Sequence, residues 1–412
     1  MTTTAMDIGQ KELPAGWKWV KLGDVCDASS GSTPSRNIPE YWDGDIAWAK
    51  IQDISAAGKW ITTTGEQITQ SAFSQTSVKL FPENTVLIAM YGASIGKTCI
   101  TAKPMTTNQA ILGCICNENT VPDFLWYWIR ITQEDLIAMG QGGAQPNVNA
   151  GIIKDLDFPL PPLEEQKRIA GILDEQMAAV EEAKKAAQQR LEAAKALPDA
   201  YLREVFEGEE AKGWETEMMS EICERISGGS RESTQGGYVA SNGIPFLRTQ
   251  NIKRFQIDWE NVLQISREFH SQLKSTQLHA DDLLVVRVGA SAGTVAVVPP
   301  EFKELNCADL LFARPLTDRS LSRFLMYAIS APATQALMQT LTVGSIHQKY
   351  NTRTLHKLVV PVPSLSDQNR VVREVEDKLA GVKLAEASIQ QELDTIEAMP
   401  AALLRKAFSG NL

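Results

Sequence analysis

The feature that most constrains the fold of this chain is an internal repeat. Four segments recur in the same order and at nearly constant spacing: 16–17 as 213–214, 46–54 as 244–252, 92–96 as 289–293, and 159–169 as 361–371. Chance does not explain a correspondence that covers the whole length of both copies. The repeat therefore predicts two copies of one structural unit, and 412 residues give room for two such units.

Each copy begins with a globular part rich in Gly, Thr, Val and Ile, over about residues 15–158 and 212–360. Apolar segments in these parts predict buried strands at 85–90 and 283–288, and helices at 121–130 and 322–329. A proline-rich joint, 159–162 in one copy and 361–363 in the other, ends each globular part. Closely spaced prolines cannot continue a helix, so each joint predicts a stiff boundary.

After each joint comes a long segment rich in Glu, Lys, Gln and Ala, which favours a helix. Apolar residues repeat there every seven positions, as in a coiled-coil seam: Leu173, Val180, Ala187, Ala194 and Tyr201, then Val375, Val382, Ile389, Ile396 and Leu403. A flanking column holds Met177 and Leu191, then Leu379 and Leu393. The alternative is that each helix packs only on its own globular part. Pro198 and Pro400 match in position and predict a break in both helices at the same level.

These patterns predict an α+β protein in which two similar mixed α/β domains are joined by two long antiparallel coiled-coil helices, with a pseudo-two-fold internal repeat. Each helix would be about 50 Å long at ~1.5 Å per residue. The predicted boundaries are 1–160 for the first domain, 161–211 for a central helical spacer, 212–363 for the second domain and 364–412 for a C-terminal helical spacer.

The net charge of −10 argues at first sight against a polyanionic ligand. It is divided as −5 over 1–163, −5 over 164–210, +2 over 211–365 and −2 over 366–412. Much of the acidity is therefore in the helical segments, and a basic face on either domain remains open. No apolar run is long enough to span a membrane, no secretory signal is visible, and the six scattered cysteines indicate reduced thiols. A cytoplasmic location is expected.

Catalytic motifs are missing from both copies. The segment 92–98 follows an apolar run, but it has three residues between its glycines where a phosphate-binding P-loop needs four. The corresponding segment of the second copy, 289–295, contains no lysine. A tight turn that leaves a core strand is the preferred interpretation, and a backbone contact with a DNA phosphate stays open. Neither Cys114-x-Cys116 nor the four histidines have metal-ligand spacing. The chain is expected to have no catalytic residues, no metal site and no cofactor of its own.

The predicted loops contain many polar and aromatic residues. These loop residues differ between the two copies, although the surrounding segments repeat. Arg, Lys, Asn and Gln suit bidentate contacts with base edges, although each of them singly is more often a solvated surface residue. Trp42 and Trp48 are interpreted as core residues. The candidate DNA-binding residues are Ser32, Thr33, Ser35, Arg36, Lys50, Gln52, Tyr91, Ser94, Lys97, Asn108 and Gln109 in the first copy, and Arg231, Arg248, Gln250, Asn251, Lys253, Arg254, Arg287, Ser291, Asn306, Gln348 and Lys349 in the second.

The whole pattern resembles the specificity subunit of Type I restriction–modification enzymes. The resemblance depends on Gly16-Trp17, on the segment 31–35, on the Gly92–Gly96 turn and on the joint-plus-helix motif of 159–169, repeated at 361–371, with the helix end 404–410. No single piece would suffice. The second copy departs from the pattern at 229–233, where Gly-Ser-Arg-Glu-Ser replaces Gly-Ser-Thr-Pro-Ser.

The resemblance implies two target-recognition domains that read a bipartite, asymmetric double-stranded DNA site, with helices that fix the gap between the half-sites. It implies assembly with two methyltransferase subunits and with restriction motor subunits. S-adenosylmethionine, ATP and Mg²⁺ are expected on those partners. Two rival functions are a helical adaptor with two protein-binding domains and a fused restriction–methylation enzyme, and the second fails on chain length and on missing motifs.

Overall fold

A computed structural model describes residues 13–140, 146–230, 237–341 and 349–412. The chain divides into two units: residues 1–188 together with 391–412, and residues 189–390. Each unit thus combines one globular domain with parts of two helices that are far apart in sequence.

The first domain is built on two larger sheets. Its strands are β1 (Lys18–Lys21), β2 (Cys26–Ser30), β3 (Trp42–Ala49), β4 (Trp60–Ile61), β5 (Glu66–Ile68), β6 (Leu80–Phe81), β7 (Val86–Ala89), β8 (Thr98–Thr101), β9 (Met105–Thr107), β10 (Ile111–Cys116) and β11 (Asp157–Leu160). Its helices are α1 (Leu22–Val25), α2 (Ile51–Ala56), α3 (Gln70–Gln75), α4 (Pro122–Ile131), α5 (Gln133–Ala138) and α6 (Ala150–Lys154). The sheet orders are β2-β10-β7-β8-β4 and β5-β3-β9-β6, and β1 pairs with β11. Every residue of β7 is buried, as the apolar run predicts.

A long helix, α7 (Leu163–Glu207), connects the two domains. The second domain contains β12 (Thr216–Met218), β13 (Cys223–Gly228), β14 (Tyr238–Val239), β15 (Ile244–Leu247), β16 (Ile252–Lys253), β17 (Gln256–Ile257), β18 (Leu263–Ile265), β19 (Gln277–Leu278), β20 (Leu283–Val286), β21 (Val295–Val297), β22 (Leu305–Cys307), β23 (Leu310–Pro315) and β24 (Val359–Pro361). Its helices are α8 (Met219–Ile222), α9 (Arg267–Gln272), α10 (Ser322–Ser330), α11 (Pro332–Thr340) and α12 (Thr352–His356), and a second long helix follows as α13 (Leu365–Phe408).

The strand orders confirm the duplication. In the second domain the sheets run β13-β23-β20-β21 and β14-β18-β15-β22-β19. The first repeats β2-β10-β7-β8 strand for strand, and the second contains the equivalent of β5-β3-β9-β6. Since pairing order is independent of the sequence match, the fold supports the repeat on separate grounds.

Each domain core is completed by the C-terminal end of a long helix. In the first unit, the buried ring of Phe408 lies 5.0 Å from that of Phe124 and 5.1 Å from that of Trp128. In the second unit, the ring of Phe206 lies 5.5 Å from that of Phe324. A helix end that fills a core cannot be removed without leaving a cavity.

The two long helices run antiparallel in each unit. In the first unit Lys184 pairs with Glu397, and the guanidinium of Arg168 donates to the carbonyl of Leu412. In the second unit Lys378 pairs with Glu204, and Arg370 pairs with Glu210. In each of these four pairs the two residue numbers add to between 580 and 582. As the number rises along one helix it falls along the other, so the helices run in opposite directions with the same register in all four pairs.

The predicted seam is largely buried. Leu173, Val180, Ala187, Ala194, Val375, Val382 and Ile396 are buried, whereas Tyr201, Ile389 and Leu403 are partly buried. Leu173 and Val375 belong to the cores of the two domains, but Val180 and Ala187 are buried outside the main cores. The beginning of each helix therefore packs on its own domain, and the heptad columns further along form a seam.

The predicted break at the two prolines is wrong. Pro198 and Pro400 both lie inside continuous helices. A proline removes one backbone hydrogen bond and strains the preceding turn. Here the residues beyond each proline are anchored by packing, since Leu202 and Leu404 are buried in the domain cores. Tertiary packing outweighs the local penalty.

A buried glutamine near the start of each long helix joins that helix to its domain. The Gln166 side chain accepts a hydrogen bond from the backbone N–H of Val121 at 2.8 Å and donates to the carbonyls of Asn119 and Pro161, both at 2.9 Å. Gln368 accepts from the N–H of Leu321 at 2.9 Å. Gln368 also donates to the carbonyls of Arg319 at 3.0 Å and Pro363 at 2.9 Å. We call these two residues the joint glutamines.

The six cysteines are free in the structure, all of them within described segments. Burial raises the pKa of Cys99 and Cys223 to about 12, so these thiols stay protonated at neutral pH. In the part of the chain that the structure describes, no helix is both long and apolar enough to cross a membrane.

Candidate nucleic-acid interface

Two parallel strands bring together candidates that are far apart in sequence. In the first domain β3 pairs with β9 in parallel, with Ala49 opposite Thr107. Lys50 follows the end of β3, and Asn108-Gln109 follow the end of β9. The carboxyl ends of parallel strands meet at one edge of a sheet, so these three residues lie side by side. The backbone N–H of Asn108 donates to the carbonyl of Ala49 at 3.0 Å, which fixes the edge.

The loop Gly31–Arg36 crosses the same edge. The backbone N–H of Ser32 donates to the carbonyl of Thr107 at 2.9 Å, and the Thr33 hydroxyl donates to the Gln109 side chain. A side chain at Gly31 would overlap Thr107, so this close approach requires glycine. We call residues 32–36, Lys50 and 108–109 the polar edge of the first domain.

Two tryptophans hold the loop 31–36 in place through hydrogen bonds to its backbone. The indole N–H of Trp48 donates to the carbonyl of Ser32 at 3.0 Å, and that of Trp42 donates to the carbonyl of Ser35 at 3.2 Å. Trp48 is 2% exposed, and the two rings meet edge to face at 5.0 Å. Trp48 is a core residue, as predicted, and half-buried Trp42 supports Arg36.

An acidic residue that sequence reasoning missed organises the basic residues of this edge. Glu66 forms an ion pair with the Arg36 guanidinium, with 2.6 Å between nitrogen and oxygen, and accepts a hydrogen bond from the ammonium group of Lys50. Hydrogen bonds from Arg36 first, and from Lys50 next, lower the pKa of Glu66 below its ordinary value. Glu66 lies 30 residues from Arg36, in no repeated motif. Only the pairing of β3 with β5, with Trp48 opposite Glu66, brings it to the edge.

The glycine-rich turn lies next to the polar edge. Tyr91, 37% exposed, follows β7, and the adjacent N–H of Met90 donates to the carbonyl of Ala110 at 2.9 Å. Gly92 and Gly96 have φ values of +64° and +76°, which favour glycine. The turn leads from β7 into the antiparallel strand β8 and not into a helix. This geometry confirms the structural turn and excludes a P-loop.

Most backbone N–H groups of this turn already donate hydrogen bonds within the protein. The N–H groups of Gly92, Ile95, Gly96 and Lys97 all donate to backbone carbonyls. The alternative of a phosphate held by these amides is therefore not supported. Ser94 lies 3.4 Å from the hydroxyl of Ser55, and the exposed side chain of Lys97 stays available.

The second domain has the same frame at its edge. β15 pairs with β22 in parallel, with Leu247 opposite Cys307. Arg248 takes the place of Lys50, and the N–H of Ala308 donates to the carbonyl of Leu247 at 2.9 Å. The bridge between Val288 and Lys349 corresponds to that between Tyr91 and Asn147.

The side chains on this common frame differ. Lys50, Asn108, Gln109, Tyr91 and Asn147 in the first domain correspond to Arg248, Ala308, Asp309, Val288 and Lys349 in the second. The backbone hydrogen bonds are kept while donors and acceptors change. Two surfaces of this kind can bind related ligands with different sequence preferences.

Several candidates of the second domain are not at the surface. Asn306 is 0% exposed and Asn251 is 2% exposed, and both use their side-chain amides within the protein. Arg287 is only 7% exposed. The prediction that these residues contact DNA is corrected for the two asparagines and has little support for Arg287, because a sequence does not distinguish a strand-end residue that faces the core from one that faces solvent.

The remaining candidates are not among the residues that define the polar edge. Arg254 pairs with Asp199 of α7, and both line a shallow pocket together with Ser291. Lys253 is exposed, 3.9 Å from Asp258. Gln52 and Gln250 are exposed next to Lys50 and Arg248. Arg231 and Gln348 lie outside the described residues.

Metal ligands do not cluster in the described segments, where no group of three His, Cys, Asp or Glu side chains could hold a metal ion. The first edge instead brings hydrogen-bond donors and cations together around strand ends, and the second edge has the cations Arg248 and Lys349 beside Asp309. Cations in these positions suit recognition of a polyanion.

A family model described as Type I restriction modification DNA specificity domain matches residues 14–193 and again residues 211–394. The specificity subunit of the Type I restriction enzyme MjaIX from Methanocaldococcus jannaschii is 26% identical to the chain over 98% of this chain and 95% of that protein. The specificity subunit of the Type I restriction enzyme EcoBI from Escherichia coli is 24% identical over 98% of this chain and 88% of that protein.

The fold is also found in a solved structure, the HsdS subunit from Thermoanaerobacter tengcongensis. It has a TM-score of 0.68 at 22% identity, and the match covers all of both chains. The two family matches together span most of the sequence, one on each copy of the repeat. The chain therefore belongs to the Type I restriction–modification DNA specificity family.

Proposed function

We propose that this chain is the DNA specificity subunit of a Type I restriction–modification complex. It reads a bipartite, asymmetric site in double-stranded DNA, one half-site with each domain, and directs adenine methylation and restriction by its partners. The observation that carries the proposal is the pair of equivalent sheet edges, at the ends of β3 and β9 in one domain and of β15 and β22 in the other, which share one backbone frame and differ in their side chains. A chain that bound one symmetric site would have no need of two different edges.

In this proposal the chain chooses the site and performs no chemistry. Two methyltransferase subunits supply methyl transfer and hold S-adenosylmethionine, and restriction motor subunits use ATP and Mg²⁺. No cofactor is bound by the chain itself, and its place is the cytoplasm. The purified chain is expected neither to methylate nor to cut DNA, and methylation is expected once the methyltransferase subunit is added.

A domain exchange tests the proposal. Residues 15–158 are replaced by the matching domain of a relative, the complex is assembled with its methyltransferase, and modified sites are mapped by methylation-sensitive sequencing. One half-site is expected to change while the other stays. A change in both half-sites would contradict independent reading. Methyl transfer by the chain alone, after contaminating methylase is removed, would contradict the non-catalytic role.

The rival adaptor function predicts a different result. If the two edges bound proteins instead of DNA, the exchange would leave the modified sequence unaltered and would change which proteins copurify. Mapping of modified sites thus separates the two functions in one experiment.

A further inference from the structure

We propose that Arg36 recognises a guanine in the half-site of the first domain. Glu66 is the positioning residue that helps to orient the Arg36 guanidinium toward the edge of that base. The inference rests on the proposed function and deepens it by assigning one base type to one side chain.

Stacking fixes the plane of the Arg36 guanidinium. Its central carbon lies 3.7 Å from the centre of the Trp42 ring and 5.1 Å from that of Trp48. Trp42 is itself held by its bond to Ser35 and by its edge contact with Trp48. An arginine side chain that is already stacked on a well-held aromatic ring loses little conformational entropy when it binds a ligand.

The ion pair with Glu66 holds one side of the guanidinium at the polar edge. One nitrogen, Nη1, meets a Glu66 oxygen at 2.6 Å, while the ammonium group of Lys50 meets the other oxygen. Glu66 is engaged by two cations, so it is not a free acceptor for the amino group of cytosine. The Arg36 side chain remains 53% exposed, and the rest of its planar fork is available to a ligand.

A phosphate contact does not explain this arrangement as well as a base contact does. Phosphates are bound from many directions by mobile lysines and arginines. Base edges require donors at fixed positions in one plane, and supporting residues commonly hold such donors. Guanine presents two adjacent acceptors, O6 and N7, in the major groove, which match the arginine fork.

The fold does not need Glu66. In the second domain the corresponding strand pair, β15 with β18, puts Phe246 opposite Leu263, where the first domain has Trp48 opposite Glu66. The same sheet forms with an apolar residue at that place. The charge of Glu66 therefore belongs to the particular surface of the first domain and not to the common scaffold.

The test uses the complete chain assembled with its methyltransferase, in the variants Arg36→Lys, Arg36→Ala and Glu66→Gln. Modified sites are sequenced, and DNA binding is measured over a range of salt concentrations. Arg36→Lys keeps the charge but loses the planar fork. We expect it to keep the salt dependence of binding and to lose about 5- to 150-fold of the discrimination at one G·C pair. Glu66→Gln is expected to weaken the base preference at the same position and at no other.

Arg267→Ala is the matched control, because it removes an exposed arginine–carboxylate pair at 2.7 Å from the second domain. It is expected to leave the first half-site unchanged. Equal weakening of all sequences by Arg36→Lys, or unchanged base preference in Glu66→Gln, would overturn the inference. If the unmodified complex shows no bipartite site, the proposed function itself fails, so the two failures are distinguishable.

Discussion

Arg36, Lys50 and Glu66 form one charged cluster at the polar edge, although Glu66 is far from both cations in sequence. Arg36 and Lys50 could be selected from the sequence because cations and amides in loops suit DNA. Glu66 could not be selected, because an acidic residue looks unsuitable for a DNA surface and its contact with Arg36 depends on strand pairing. The prediction that Asn306 contacts DNA is wrong, since an asparagine suits a base edge but this one lies in β22 with its side chain buried.

Asn306 is therefore expected to act in stability and not in recognition. Its buried side chain bonds to the Thr276 hydroxyl and to the carbonyl of Leu273. Asn306→Ala removes these hydrogen bonds from a buried site, which should lower the free energy of unfolding by about 1–3 kcal/mol. Denaturant unfolding measures this change, and exposed Gln250→Ala is the control. A fully stable Asn306→Ala variant with an altered half-site would contradict this assignment.

The ion pairs of Glu66 should make stability depend on acid pH. Its pKa in the folded state lies below the ordinary value of 4.5, first because of Arg36 and then because of Lys50. A lowered pKa means that this contribution is fully present above about pH 4.5 and is lost as the pH falls through the folded value. The difference in free energy of unfolding between the unmodified chain and Glu66→Gln should be constant near neutrality and shrink in acid. A difference that grows in acid would contradict this.

Secondary-structure elements are predicted correctly where the apolar residues form a clear pattern. The heptad columns gave both long helices, and short apolar runs gave β7, β20, α4 and α10. The helix ends were not foreseen: the heptad pattern does not reveal that Phe206 and Phe408 enter domain cores. Nor does a proline in a sequence reveal that packing on both sides keeps its helix continuous.

The joint glutamines are expected to fix each long helix to its domain. Gln166→Leu keeps the side-chain volume but leaves the N–H of Val121 and two carbonyls without their partner. The free energy of unfolding should fall by about 1–3 kcal/mol, and hydrogen exchange at the Val121 amide should accelerate. Gln368→Leu should act in the same way at Leu321.

Asn369→Ala is the control for these variants, since Asn369 is exposed and bonds only within its own helix, to the carbonyl of Leu365. Exchange at Val121 that is as slow in Gln166→Leu as in the unmodified chain would show that the glutamine does not hold the joint.

At the scale of the whole molecule, the repeat predicted two domains and two antiparallel helices, and strand order and ion-pair register confirm them. Repeat position alone does not tell which residues of the two helices face each other. Ala187 and Ile389 are equivalent in the repeat, but the register of the ion pairs puts Ala187 opposite about residue 394.

This register determines how the proposed spacer can be lengthened. The two units divide between Gln188 and Gln189 in one helix and between Gln390 and Gln391 in the other, at nearly the same level. A heptad inserted at both places keeps the apolar columns in phase. It adds about 10.5 Å at ~1.5 Å per residue, or about three base pairs at ~3.4 Å each. Site mapping should show a longer gap between unchanged half-sites. A heptad in α7 alone leaves apolar residues unpaired and should reduce stability and assembly. An active complex that carries both insertions and keeps the original gap would show that these helices do not set the distance.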